Sequence, residues 1–139
     1  MKINELLQKG FITKIKPDKK LVEKELKEAN YDLERANAAL EQKDFKWSII
    51  KSYYSMFHAA KAILFSLGLK ERRHFAVGVV LEELSAEGKL KSKIINDFKA
   101  SMSAREEADY RYIYSEDTAR YLVDVAEEFL EEMKKLLKV

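Results

Sequence analysis

Residues 44–68 read DFKWSIIKSYYSMFHAAKAILFSLG, and the fold turns on how this stretch is read. Asp44 carries the short acceptor side chain of a helix N-cap, and Gly68 has the freedom to take the left-handed position that ends a helix. No glycine or proline interrupts the run between them. Phe45, Trp47, Ile49, Ile50, Tyr53, Tyr54, Met56, Phe57, Ile63 and Leu64 fall on almost every side of the helix they would form. A helix apolar over most of its circumference must be central to its own domain or covered by a partner chain. Only the line Lys51, Ser55, His58, Ala62 offers a mostly polar side, which predicts an exposed or interfacial His58.

The flanking segments supply helices to surround it. Pro17-Asp18 opens one whose Val22, Leu26, Ala29, Leu33, Ala36 and Leu40 alternate four and three apart, the spacing of a single helical face. A third helix spans about residues 74–87, with Val77, Val80, Leu81 and Leu84 inward, Gly78 at a close helix contact and Gly88 at its end. A fourth begins near Ser92. The last follows the N-cap Ser115, with Glu116 and Asp117 in its first turn and Ala119, Leu122, Ala126, Phe129, Met133 and Leu136 at core spacing. With four glycines, one proline and little alternating apolar pattern, the sequence predicts an all-α fold: an antiparallel up-and-down bundle of four to five helices. Residues 18–139 form that domain. Residues 1–17 are set apart as a basic N-terminal extension with a short turn around residues 4–9.

Composition narrows the chemistry. At 139 residues the chain fits one domain that buries roughly two thirds of its unfolded surface. The absence of cysteine excludes disulfides, thiolate metal sites and a cysteine nucleophile, and two histidines with no HExxH spacing predict no metal and no cofactor. No apolar run reaches the length of a signal peptide or membrane span, so the expected location is the cytoplasm. A net charge of +2 argues against a global polycation. Charge is uneven nevertheless: residues 1–20 hold six lysines against Glu5 and Asp18, and residues 116–132 hold seven acidic side chains against Arg120. Solvated helix faces account for such runs, and the basic connector Lys14, Lys16, Lys19, Lys20 lacks the interleaved aromatics of an RNA arm.

The unusual residues lie in SAREEADYRYIYS, 103–115. Ile95, Phe98, Met102, Arg105, Asp109 and Tyr112 share one helical face, so an apolar stripe runs into an arginine and an aspartate. An exposed Arg–Asp pair four apart contributes a few tenths of a kcal/mol and needs no further explanation. An arginine on the inward side instead meets carboxylate, phosphate or a second subunit. The tyrosines at 110, 112 and 114 are either helix-end packing or the hydroxyl wall of a polar cleft. Arg73 and His74, at a helix start after Lys70, Glu71 and Arg72, read either as a solvated turn or as an anion site.

Three pieces in order, WSIIKSYYSMFHAAKAIL (47–64), RRHFAVG (72–78) and AREEADY (104–110), resemble the HEPN domains, particularly a small stand-alone prokaryotic branch. The resemblance covers roughly residues 18–135. It implies a helical bundle, commonly a homodimer, often paired with a minimal nucleotidyltransferase in toxin–antitoxin systems. Many such proteins are metal-independent ribonucleases marked by an arginine and, four to six residues on, a histidine, with the motifs of two subunits meeting in a cleft. Arg105 matches the arginine, and Tyr112 the tyrosine that some relatives carry two places after the histidine. Tyr110 stands where the histidine should be, and no histidine follows His74.

That departure weakens proton transfer. A phenol titrating near 10 is about one part in a thousand ionised at pH 7, a handicap of roughly 4 kcal/mol. The leading expectation is therefore a homodimeric module whose Arg105, Asp109, Tyr110 and Tyr112 cleft, with Arg73 and His74 as a second anion-binding element, takes nucleotide or RNA phosphate and engages a nucleotidyltransferase. The alternative is an endoribonuclease toxin with a degenerate Arg-x4-Tyr motif, in which Arg105 holds phosphate and Tyr110 or His74 moves protons. A third reading makes Tyr112 or a neighbouring tyrosine the acceptor of a nucleotidyl group. A fourth is a helical assembly module with no small ligand. The expected dimer rests on the apolar circumference of the second helix and on the polar stripe of the fourth.

Overall fold

A computed structural model describes residues 1–139. In chain order the elements are α1 (Ile3–Gln8), β1 (Ile12–Lys14), α2 (Lys19–Glu41), α3 (Phe45–Ser66), β2 (Leu69–Glu71), α4 (Ala76–Ala86), α5 (Ser92–Tyr110) and α6 (Glu116–Leu137). Five of the helices, α2 to α6, form the bundle, so the all-α reading holds. α3 lies at its centre, packed against α2, α4, α5, α6 and β2. Its caps are those read from sequence: Asp44 accepts from the Trp47 amide, and Gly68 takes φ +73° just beyond the end. Asp18 and Ser115 cap α2 and α6 in the same way.

Fourteen of the twenty-two residues of α3 are buried. The covering is supplied by the chain itself, so the apolar circumference of this helix no longer calls for a second copy. Two details correct the sequence reading. Trp47 is 48% exposed, because it lies in the first turn at the rim of the bundle. The line Lys51, Ser55, His58, Ala62, expected to be polar and open, faces α2 instead: Lys51 and His58 are half-buried, and Ser55 and Ala62, with the neighbouring Ser48, Ser52 and Ala59, are fully buried. These serines and alanines are small, and so are Ala29 and Ala36 opposite, which lets the helices approach closely. The Ser48 hydroxyl donates to the Ala36 carbonyl (3.0 Å) and that of Ser55 to the Ala29 carbonyl (2.8 Å).

Against this pair the remaining helices bring large side chains. Phe98 of α5 and Phe129 of α6 stack at 5.6 Å, and Gly78 of α4 lies against the Phe98 ring. Full burial of one such ring contributes about 1.5–3 kcal/mol. Within the basic N-terminal extension, Leu6 and Ile12 belong to the same core cluster. The connector after them is not irregular. β1 and β2 form a two-stranded antiparallel ribbon that the sequence reading missed, with Ile12 opposite Glu71 and Lys14 opposite Leu69. At three residues each, these strands are too short to show an alternating pattern.

The ribbon fixes the segment between α3 and α4. The Ile15 amide donates to the Gly68 carbonyl, and the amides of Arg72 and Arg73 donate to the Phe11 carbonyl. At Gly68 a Cβ would stand 2.8 Å from the Ile15 oxygen, whereas at Gly88, also at positive φ, it would meet nothing within 4 Å. Gly68→Ala is therefore expected to destabilise the fold by about 2 kcal/mol, more than Gly88→Ala. Urea midpoints of the two variants check this, and equal losses would show that the contact with Ile15 carries no weight.

Candidate functional site

α5 leaves the core gradually. Ile94, Ile95, Phe98 and Ser101 are buried, Met102 half-buried, and Arg105 follows one turn later with its side chain 20% exposed. Its Nη2 donates to the Tyr54 hydroxyl at 3.1 Å. Its Nε lies 3.1 Å from Asp109 Oδ2 and is buried, yet it makes no aligned hydrogen bond, so that contact is ionic only. The rings of Tyr53, Tyr54 and Tyr110 surround the guanidinium, with centroids 5.5–5.7 Å from Cζ. Partial burial opposes its charge, but the oxygens of Tyr54, Tyr110, Asp109 and Tyr53 outweigh it, and the pKa of Arg105 stands above its ordinary value. The cation is permanent.

Tyr53 connects this arginine to a histidine. Its hydroxyl, 1% exposed with the rest of the residue, is hydrogen-bonded to Nε2 of His74. The His74 ring stacks flat on Phe57, with centroids 4.1 Å apart and planes within 5°. The residue as a whole is exposed, but its Nε2 edge is turned into the protein, and Nδ1 has no protein partner. Desolvation of that inner edge, and then the charges of Arg105 and Lys61, hold the imidazole below its ordinary 6.5. Burial also pushes the Tyr53 phenol well up, so it remains a neutral hydroxyl.

The residues singled out from the sequence divide. Arg105, Asp109 and Tyr110 lie together, Tyr110 with 69% of its surface exposed. Tyr112 is elsewhere, because α5 ends at Tyr110 and Tyr112 has turned out of the helix at φ +57°. It is 74% exposed, beside Lys46, whose Nζ also lies over Trp47. Arg73 is exposed, and α4 starts at Ala76 with Phe75 as its cap, so Arg73 and His74 lie in the connector just before the helix. His74 joins Arg105. Sequence reasoning missed Tyr53 and Tyr54 as site residues because on an apolar helix both read as core; their hydroxyls were the only signal.

Two further features border the site. His58 is neither exposed nor idle: Nδ1 is 2.6 Å from Glu25 and Nε2 3.6 Å from Asp32, with Lys61 on Glu25 and Lys51 on Asp32. This network ties α2 to α3. No group of three or more His, Cys, Asp or Glu side chains is arranged to hold a metal ion. A depression of about 390 Å³ is lined by Ser103, Glu106, Glu107, Tyr110 and Arg111 on the open side of α5.

Because Arg105 contributes to the low pKa of His74, Arg105→Ala is expected to move the His74 titration upward, toward 6.5. Arg105→Lys, which keeps a charge, should move it less. Imidazole NMR signals followed against pH give the midpoints; an unmoved midpoint in the alanine variant would mean that the two groups are not coupled.

A family model described as the HEPN domain matches residues 22–136. A UPF0332 protein of Pyrococcus horikoshii is 45% identical over 56 residues, 40% of this chain and 39% of that protein, so the match spans less than half of either. A protein of Methanocaldococcus jannaschii named "putative toxin" is 29% identical over 115 residues, 79% of this chain and 84% of its own length. The family match starts inside α2 and ends in the last turn of α6, enclosing Tyr53, His74 and Arg105, and the chain belongs to the HEPN domain family.

Proposed function

We propose that this chain is a cytoplasmic, homodimeric HEPN module of toxin–antitoxin type, whose Arg105 site takes a phosphate group of nucleotide or RNA and whose protein partner is a minimal nucleotidyltransferase. One observation carries the reading. Arg105 is a permanent cation set among phenol rings, its Nη2 on the Tyr54 hydroxyl, its Nε buried, and its Nη1 free of protein partners. A guanidinium so placed can still donate to phosphate oxygens, and aromatic faces beside it suit a base or nucleotide ring. The toxin-like setting is supported by the name of the Methanocaldococcus relative. A polar stripe that opens at the rim of α5 suits a surface shared by two copies.

The second reading, an endoribonuclease, is favoured by a specific observation: a histidine and the arginine flank the same tyrosine. The sequence motif alone gave no such pair.

Fluorescence anisotropy with a labelled single-stranded RNA tests the binding site. Arg105→Ala is expected to weaken binding by roughly ten- to a hundredfold, the loss of one charge-assisted contact. Affinity should also fall with salt. Wild-type affinity in the alanine variant would remove Arg105 from the site. Sedimentation of the free protein, expected to give a dimer, tests the assembly, and a monomer would overturn that part of the reading.

A further inference from the structure

The structure assigns proton transfer at this site to His74, an imidazole supplied by the β2–α4 connector, in place of Tyr110 at the histidine position of the α5 motif. This rests on the ribonuclease reading of the Arg105 site, and on four observations. His74 and Arg105 lie against the same Tyr53 ring: its hydroxyl is hydrogen-bonded to His74 and its face meets the guanidinium. The imidazole is positioned twice, by that hydrogen bond and by stacking on Phe57. Its backbone is fixed as well, since the preceding amides of Arg72 and Arg73 are tied to Phe11, and Phe75 packs edge-on against the Phe11 ring. Tyr110, by contrast, offers its ring to Arg105 and has no hydrogen-bonded partner to orient or activate its hydroxyl.

The orientation suits a base. A phenol oxygen can accept as well as donate, and by accepting from Nε2–H Tyr53 leaves the lone pair of Nδ1 facing outward. The same bond persists when the ring is protonated, so Tyr53 and Phe57 are positioning residues. The charged groups around the ring are Arg105 of α5, Lys61 of α3 and, in its own connector, Arg72 and Arg73; Lys61 is already engaged with Glu25 and Glu71. Burial first, and then the charges of Arg105 and Lys61, favour the neutral imidazole, and those two cations favour a bound phosphodiester.

The step so defined is internal transfer in single-stranded RNA. Nδ1 of His74 takes the 2′-hydroxyl proton as the 2′-oxygen bonds to phosphorus, the bond from phosphorus to the 5′-oxygen breaks, and Arg105 stabilises the added phosphoryl charge. The imidazolium returns the proton, through water, to the departing 5′-oxygen. The products are a 2′,3′-cyclic phosphate and a 5′-hydroxyl, and no proton is gained or lost overall.

The test uses the full chain, a labelled single-stranded RNA pool of randomised sequence, its all-deoxy counterpart and a chelator in every reaction. Wild type is expected to cleave only the RNA, with a rate that rises as pH passes upward through the His74 midpoint and then levels. His74→Ala should lose about a hundredfold in rate, flatten the pH profile, regain activity with added imidazole and bind RNA as wild type does. Tyr53→Phe should lower the rate less, with binding intact, while Tyr110→Phe, which keeps the ring beside Arg105 and removes only the hydroxyl, should lose far less rate than His74→Ala and keep the shape of the pH profile. His74→Ala cleaving at the wild-type rate, or a rate that collapses in Tyr110→Phe, overturns the assignment. RNA bound in an Arg105-dependent way but never cut also overturns it and leaves the binding site standing; RNA binding indifferent to Arg105 overturns the binding site itself.

Discussion

The structure depends on one constraint: α3 is enclosed by the rest of the chain, so the polar atoms it carries must find partners inside the protein. An unpaired buried donor or acceptor costs about 1–3 kcal/mol. Ser48 and Ser55 meet it by donating to α2 carbonyls, and Ser52 is the exception, buried without a partner. His58 meets it with Glu25 and Asp32. Those carboxylates respond in opposite ways. Burial works against the charge of Glu25, but His58 and Lys61 overcome it and its pKa is lowered; at Asp32 burial prevails over Lys51 and His58, and the pKa is raised.

Tyr53 and Tyr54 meet the constraint on the other side of the helix, and this creates the candidate site. Tyr53 has a fully buried hydroxyl and takes His74; Tyr54, half-buried, takes Arg105. Neither partner is on a neighbouring position of the sequence. His74 is brought over by the turn at Gly68 and by the β1–β2 ribbon, and Arg105 by the packing of Phe98 against α4 and α6. The N-terminal residues contribute through Ile12 and Phe11, which anchor the ribbon and the connector, although they lie outside the family match.

The helices were legible because each announces itself within a few residues: Asp18, Asp44 and Ser115 as caps, Gly68 and Gly88 as ends, and a 3.6-residue apolar period between them. What sequence could not reveal was pairing across distance. Ser55 and Ala62 look like a polar-to-neutral side of α3 until Ala29 and Ala36 are seen opposite them, which is why His58 was misplaced. Tyr112 was placed on the Arg105 face by extending the helical period two residues too far, since nothing between Tyr110 and Ser115 is a glycine or proline that would mark the end. Arg105 stands out for a local reason, a charge interrupting an apolar stripe, whereas nothing near His74 in the sequence signals its hydrogen bond to Tyr53.

The pairing of Arg105 with Asp109 bears on how an anion would enter. Had Asp109 accepted a well-aligned hydrogen bond, a phosphate would have to displace a charge-assisted contact, one of the stronger kinds in a protein. The buried Nε, 3.1 Å from the carboxylate, makes no aligned hydrogen bond to it, and Nη1 has no protein partner. A phosphate reaching Nη1 would break no hydrogen bond, while the Tyr54 hydroxyl would go on holding Nη2. The cost that remains is repulsion from Asp109, 29% exposed and therefore partly screened. The guanidinium is thus held in position by the Tyr54 hydroxyl and balanced by a carboxylate, an arrangement that keeps its direction fixed and leaves Nη1 available.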